Sequence, residues 1–338
     1  MKMKKIIMFM LALLIILAGC GQDSDVTQGE TTTNENEEQA GTKEAEETSE
    51  EESTDDSATE RTIDYLGESY TVPANVERIV ITGAMEAMED AVVLEVEPVG
   101  AVTVAGEFPE IYQSAMGNAE SIGEKQQPNF EKILELEPDV ILGTTKFPEE
   151  VVKNLEKIAT TILVSHVSSN WEDNLHLMAQ LGGKDDTAED LLAEFNENIE
   201  IAKDTILEDL EGKKVVALRI RGGQVFMYAP ELFFNPLLYD QLGLEVADLI
   251  SKAEVQEAIS VEQLADMNPD YIFMQIQDSG TDESSKAFED LKNNPIVQNI
   301  TAFQEDQVYE NVVNPLLEGG PLYSRMLFLE QVQAKLSK

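Results

Sequence analysis

Hydrophobic and polar positions divide the chain into stretches of different character. Residues 6 to 18 are wholly apolar and follow Lys2, Lys4 and Lys5. The run is shorter than the roughly 20 apolar residues a membrane-spanning helix needs. A basic start, a short apolar core and small residues after it describe a secretory signal peptide over residues 1–19. Residues 20–60 are Gly, Ser, Thr, Gln and Glu with very few apolar side chains. Such a segment cannot bury enough surface to offset its ordering entropy, and like charges extend it. It reads as an acidic, disordered tether.

Periodic patterns begin near Arg61. From Thr62 to Pro73 apolar residues alternate around Gly67, the pattern of a β-hairpin. Arg78-Ile79-Val80-Ile81 reads as a short buried strand, Glu86 to Leu94 as a helix, and Val99 to Val102 as a second strand. Strands alternating with helices argue for parallel sheets. Residues 187–210 place Ala188, Leu191, Leu192, Phe195, Ile199, Ile201, Ala202 and Ile206 roughly at helical spacing. A helix of that length spans about 36 Å, enough to cross from one lobe to another. Lys213 to Leu218 then reads as a strand opening the second lobe.

A weak internal repeat supports two lobes. Phe130 to Leu142 and Val261 to Phe273 each read as a short helix, a Pro-Asp stop (Pro138-Asp139, Pro269-Asp270) and a buried strand. Proline ends each helix because it cannot continue the hydrogen-bond ladder. The expected fold is α/β: two Rossmann-like lobes with central sheets, 61–186 and 211–338, joined by one long interlobe helix over 187–210.

The net charge of -43 excludes a nucleic-acid binder. Against that background Arg219 and Arg221, two residues apart on a strand, point to one face. Such a pair is tolerated where an anion joins it or where nearby Asp and Glu neutralise it. Trp171, Lys125, Lys146, Phe147, Tyr228, Tyr323 and Arg325 lie after strand ends, on a short strand or after Gly319-Gly320-Pro321, as further candidates to line a cleft. For Trp171 and the other aromatic residues core packing is the competing role. The two histidines, His166 and His176, and one cysteine do not make the clustered set that a protein-ligated metal needs. There is no Gly-x-Ser-x-Gly elbow, no His-Glu-x-x-His and no phosphate loop, so catalysis has no visible machinery.

Two resemblances sharpen the picture. Leu17-Ala18-Gly19-Cys20 resembles the lipobox of bacterial lipoproteins. That implies cleavage before Cys20, a diacylglycerol on its thiol and anchoring at the outer face of the cytoplasmic membrane, in a Gram-positive bacterium. Ser121-Ile122-Gly123-Glu124, Pro128-Asn129-Phe130-Glu131, Glu137-Pro138-Asp139-Val140-Ile141, Leu218 to Gly223, Asn268 to Ile272 and Glu318-Gly319-Gly320-Pro321 resemble the iron-siderophore binding lipoproteins of bacterial ABC importers. The nearest subgroup takes hydroxamate and citrate-hydroxamate ferric siderophores. The resemblance implies a monomeric receptor with no cofactor of its own, whose ligand is a ferric siderophore held in an interlobe cleft by Arg219 and Arg221. It also implies delivery to an ABC permease and its ATPase through one surface acid on each lobe, for which Glu89 and Asp240 are the candidates. A haem or corrinoid receptor of the same architecture is the alternative within binding proteins, and an extracellular hydrolase the alternative outside them.

Overall fold

The computed structural model describes residues 59–277 and 282–337. The expected signal peptide, the expected lipidation site Cys20 and the acidic segment up to residue 58 lie outside the described residues. Strands β1 (Glu60–Tyr65) and β2 (Glu68–Pro73) pair antiparallel around Leu66-Gly67, both at positive φ. This hairpin is a sheet of its own. It buries Ile63, Tyr65 and Val72 against the rest.

The first lobe continues through β3 (Ile79–Ile81), α1 (Met85–Val93), β4 (Gly100–Thr103), α2 (Gln113–Met116), β5 (Glu120–Glu124) and β6 (Gln127–Pro128). It closes with α3 (Phe130–Glu135), β7 (Val140–Thr144), α4 (Glu149–Leu155), β8 (Thr160–Val164) and α5 (Trp171–Gly182). Its sheet runs β6-β5-β4-β3-β7-β8, parallel except for the short edge strand β6. The strands β3, β4 and β7 are buried at every residue, as strands covered on both faces must be.

Helix α6 (Asp185–Ile206) leads to the second lobe. It starts two residues earlier than the apolar periodicity suggests. Asp185 and Asp186 occupy its first turn, where acids complement the helix dipole. The second lobe holds β9 (Val215–Arg221), β10 (Gln224–Met227), β11 (Glu257–Ala258), α7 (Val261–Met267), β12 (Tyr271–Gln277), α8 (Glu283–Lys292), α9 (Thr301–Gln304) and β13 (Val308–Glu310). Its sheet runs β11-β10-β9-β12-β13, with β9, β12 and β13 parallel and the β10 and β11 edge antiparallel.

The repeat is physical. In both copies the residue before the helix caps it: the Asn129 side chain accepts from Lys132 N, and the Ser260 side chain from Gln263 N. In both, the aspartate after proline clasps the start of the neighbouring parallel strand. Asp139 accepts from Glu77 N and Arg78 N, each at 2.8 Å; Asp270 accepts from Lys214 N at 2.9 Å. The chain ends in α10 (Leu322–Leu336), which leaves the second lobe to pack on α1, α5 and α6 while Phe328 stays against Phe234 and Phe273. α6 is the long helix between the lobes that the periodicity pointed to, and α10 adds a packed contact across them.

Candidate functional site

The carboxyl ends of parallel strands from both sheets face one cleft, the place where open α/β sheets bind ligands. Its volume is about 560 Å³. From the first lobe, Lys125 follows β5, Lys146 follows β7, and Ser165 to Ser168 follow β8; from the second, Arg219 and Arg221 end β9 and Gln277 ends β12. Trp171, Tyr228, Phe233, Gln256 and Glu318 complete most of the lining.

Arg219 is buried. Its Nη2 donates to Leu317 O at 3.0 Å, its Nε to Gln275 Oε1, and its guanidinium lies over the Phe233 ring, 4.5 Å from the centroid. These contacts fix its direction, and it forms no ion pair among the described residues. Arg221 is exposed, stands 5.6 Å from the Phe226 ring centroid and donates to Gln256 Oε1 at 3.1 Å. Across the cleft, Lys125 pairs with Glu318 at 2.5 Å and Lys146 with Glu86 at 3.3 Å. Burial opposes ionisation of Glu318, but Lys125, Arg219 and Lys146 together hold its carboxyl at about 2. It is therefore a permanent anion among four cations.

The wall after β8 owes its shape to the hairpin. Tyr65 donates to Asn174 Oδ1 at 2.6 Å and accepts from Ser165 N at 2.8 Å, while Asn174 donates to Ser165 O at 2.9 Å. Burial pushes the Tyr65 phenol up to about 12, so it remains a donor. His166 bonds Thr145 through Nδ1 at 2.8 Å, and burial with Lys146 nearby lowers its pKa. Its ring reaches the lining as a neutral group. Among the described residues no group of three or more His, Cys, Asp or Glu could hold a metal ion.

Several sequence candidates take other places. Phe147 fills the space over Gly83 and Gly143, so tightly that Gly83 has no room for a Cβ, and it forms support beneath the wall. Tyr323 is partly buried on α10 near Glu89, away from the lining. Arg325 is 1% exposed and is a strut rather than a cleft cation. It donates to Gly320 O at 2.5 Å, Gln241 Oε1 at 2.6 Å and Ser168 O at 2.8 Å, and lies 4.7 Å from the Trp171 ring centroid. Trp171 therefore has two roles. It packs edge-on against Phe195 and against Arg325 and still borders the cleft.

Glu89 cannot be a surface docking acid. It is fully buried, accepting from Glu318 N at 2.7 Å and from the Ser324 hydroxyl. It pins the Leu317 to Pro321 loop, from the second-lobe side, onto α1 of the first lobe. Gly319 and Gly320 are required there. A Cβ on Gly319, at φ +83°, would lie 2.9 Å from the Phe233 backbone, and one on Gly320 would lie 2.9 Å from Ser168 Oγ. Asp240 is exposed and borders a separate groove behind Trp171 with Arg325 at its edge.

Sequence reasoning missed Glu86, which lines the cleft, and Asp90 behind it, and took Glu89 for a surface acid. Glu86, Glu89 and Asp90 are all buried on α1, and neither carboxyl oxygen of Asp90 has a hydrogen-bond partner. Burial, and secondarily Glu86, raise the Asp90 pKa well above the ordinary aspartate range. The folded state then binds a proton that the unfolded state releases, so its contribution to stability is lost as pH rises above that range. Asp90→Asn is expected to stabilise the protein at neutral pH by about 1–3 kcal/mol, with the gain vanishing below about pH 4. Urea unfolding at the two pH values checks this; an equal gain at both would contradict it.

A model of the periplasmic binding protein family matches residues 88–311. An iron-uptake system-binding protein of Bacillus subtilis (strain 168) is 38% identical over 338 residues, covering 99% of this chain and 100% of that protein. The probable siderophore-binding lipoprotein YfiY of the same organism is 31% identical over 227 residues, 64% of this chain and 69% of that one. Among solved structures, the triscatecholate siderophore binding protein FeuA from Bacillus subtilis, complexed with ferri-bacillibactin, matches with TM-score 0.78 at 42% identity. That match covers 82% of this chain and 98% of the other. With fold and near full-length similarity agreeing, the chain belongs to the periplasmic binding protein family, whose members here are substrate-binding proteins and not enzymes.

Proposed function

We propose that the cleft captures a ferric siderophore as a polyanionic complex, a tris-catecholate best of all, and delivers it to an ABC importer from a lipid anchor at Cys20. The observation that carries this is the charge of the cleft. Lys125, Lys146, Arg219 and Arg221 gather there in a strongly acidic chain. Three catecholates carry six negative charges against three on iron, leaving a trianion. A trihydroxamate complex is neutral and has little use for four cations. Hydroxamate and citrate-hydroxamate complexes fit the same fold, and the more negative ligand fits the charge better. The siderophore already fills the coordination sphere of iron, so the protein supplies only an outer shell of cations and the aromatic faces of Trp171, Tyr228 and Phe233. The similar protein FeuA carries ferri-bacillibactin in its solved complex. Trp171 is the single tryptophan. Its fluorescence should be quenched saturably by ferri-bacillibactin, weakly by a neutral ferric trihydroxamate, and not by haem or cobalamin. Saturable quenching by haem alone would replace this reading.

Delivery needs an exposed acid on each lobe. The repeat supplies a matched pair: Glu131 and Glu262, each exposed at the second position of its helix, α3 and α7. Each helix starts just after cleft-lining residues, Lys125-Gln126 and Gln256, so both acids stand beside the cleft mouth. Glu131→Arg with Glu262→Arg is expected to cut iron uptake by cells at least about tenfold, as like charges across an interface cost several kcal/mol, with siderophore affinity unchanged. Normal uptake by the double variant would shift the assignment to other acids, Asp240 included.

A further inference from the structure

Glu318 puts a negative charge inside a cleft built for anions. Its position is not that of a loose surface side chain. The backbone N of Glu318 is held by Glu89 Oε1 at 2.7 Å, Gly319 N donates to Ser324 Oγ at 3.0 Å, and the adjacent Leu317 O accepts from Arg219. Gly319 and Gly320 are wedged between the two lobes. The loop therefore presents the carboxylate at a fixed place, where its Oε1 lies 2.5 Å from the Lys125 ammonium. The side chains of Lys125 and Glu318 are 36% and 21% exposed, so the pair is open to the cleft. Lys125 sits on the β5–β6 turn, and Glu318 on the pinned loop.

Resting on the reading of the cleft as an anion site, we infer that Glu318 is an internal competitor for Lys125. It occupies that ammonium when the cleft is empty and yields it to the incoming anion. A fixed anion opposes a charged ligand in proportion to the ligand's charge and is nearly silent toward a neutral one. Glu318 thus holds the affinity for a trianion below what the same cations would give without it. It also offers Lys125 a partner the moment the ligand leaves, which favours hand-over to the importer. A carboxylate that merely shaped the wall would act on all ligands of similar size alike.

The test compares the full-length protein with Glu318→Gln by Trp171 quenching, using ferri-bacillibactin and a neutral ferrichrome-type ferric trihydroxamate. The variant should bind the trianion at least about tenfold more tightly, chiefly through slower dissociation, and the neutral complex within about twofold of the unaltered protein. Unchanged or weaker trianion binding, or an equal change for both ligands, overturns the inference. A second measurement needs no variant. In a crystal of the unaltered protein with ferri-bacillibactin, Lys125 Nζ should contact the ligand and stand beyond hydrogen-bond distance of Glu318; an intact pair overturns the inference. If the unaltered protein binds neither complex, the reading of the cleft itself fails and the competitor role with it.

Discussion

Arg219→Gln combined with Arg221→Ala is expected to weaken ferri-bacillibactin binding by roughly a hundred- to ten-thousand-fold. Each lost charge-assisted contact is worth about 1.5–3 kcal/mol, and every 1.4 kcal/mol is about tenfold in affinity. The two should not contribute equally. Arg219 is pre-aimed by Leu317 O, Gln275 and the Phe233 ring, so little entropy is lost when a ligand meets it. Arg221 is exposed and held by one contact to Gln256. Arg219→Gln alone should therefore cost more than Arg221→Ala alone. Fluorescence titration of both single variants and the double variant measures this. Equal affinities across the set would mean that the guanidiniums do not hold the ligand.

Arg325→Met is expected to cost at least about 3 kcal/mol of stability, because three acceptors lose their donor and buried acceptors left without one each cost about 1–3 kcal/mol. The acceptors are Ser168 O, from the first lobe, and Gly320 O and Gln241 Oε1, from the second-lobe side of the cleft. Burial pushes the guanidinium pKa down, and Glu172 and Asp240 partly restore it. Among the described residues it forms no ion pair, and the side chain works as a rigid three-way donor. Arg325→Lys should not rescue the loss, since an ammonium on a flexible stem cannot reproduce that fork. Denaturant unfolding reports the midpoint. A midpoint within error of the unaltered protein would show that the strut carries no load.

The frame was legible because its signals are local. Alternating strands, the helical spacing through Phe195 and Ile206, and the two Pro-Asp stops each depend on a few neighbouring residues. Arg219 and Arg221 were legible for the same reason: alternate residues of a strand share a face. Glu89 was misread because an acid on an amphipathic helix looks solvent-facing until its partners are known. Those partners, Glu318 N and Ser324, lie more than two hundred residues away. Arg325 and Phe147 were misplaced on the same account. A position after a strand or a Gly-Gly-Pro turn says a side chain is near the cleft, and only packing decides whether it enters. The competitor Glu318 carried no sequence signal beyond a motif, in a chain with 66 acids. The repeat held an unused clue, because matching the copies position by position aligns Glu131 with Glu262.

α10 buries Leu322, Phe328, Leu329, Val332 and Leu336, and it lies on α1, α5 and α6, elements made early in synthesis. The fifteen residues of this helix thus close the interior of the first lobe. Because Phe328 of the same helix packs on Phe234 and Phe273 of the second lobe, a cavity cut into its buried face loosens both interiors together.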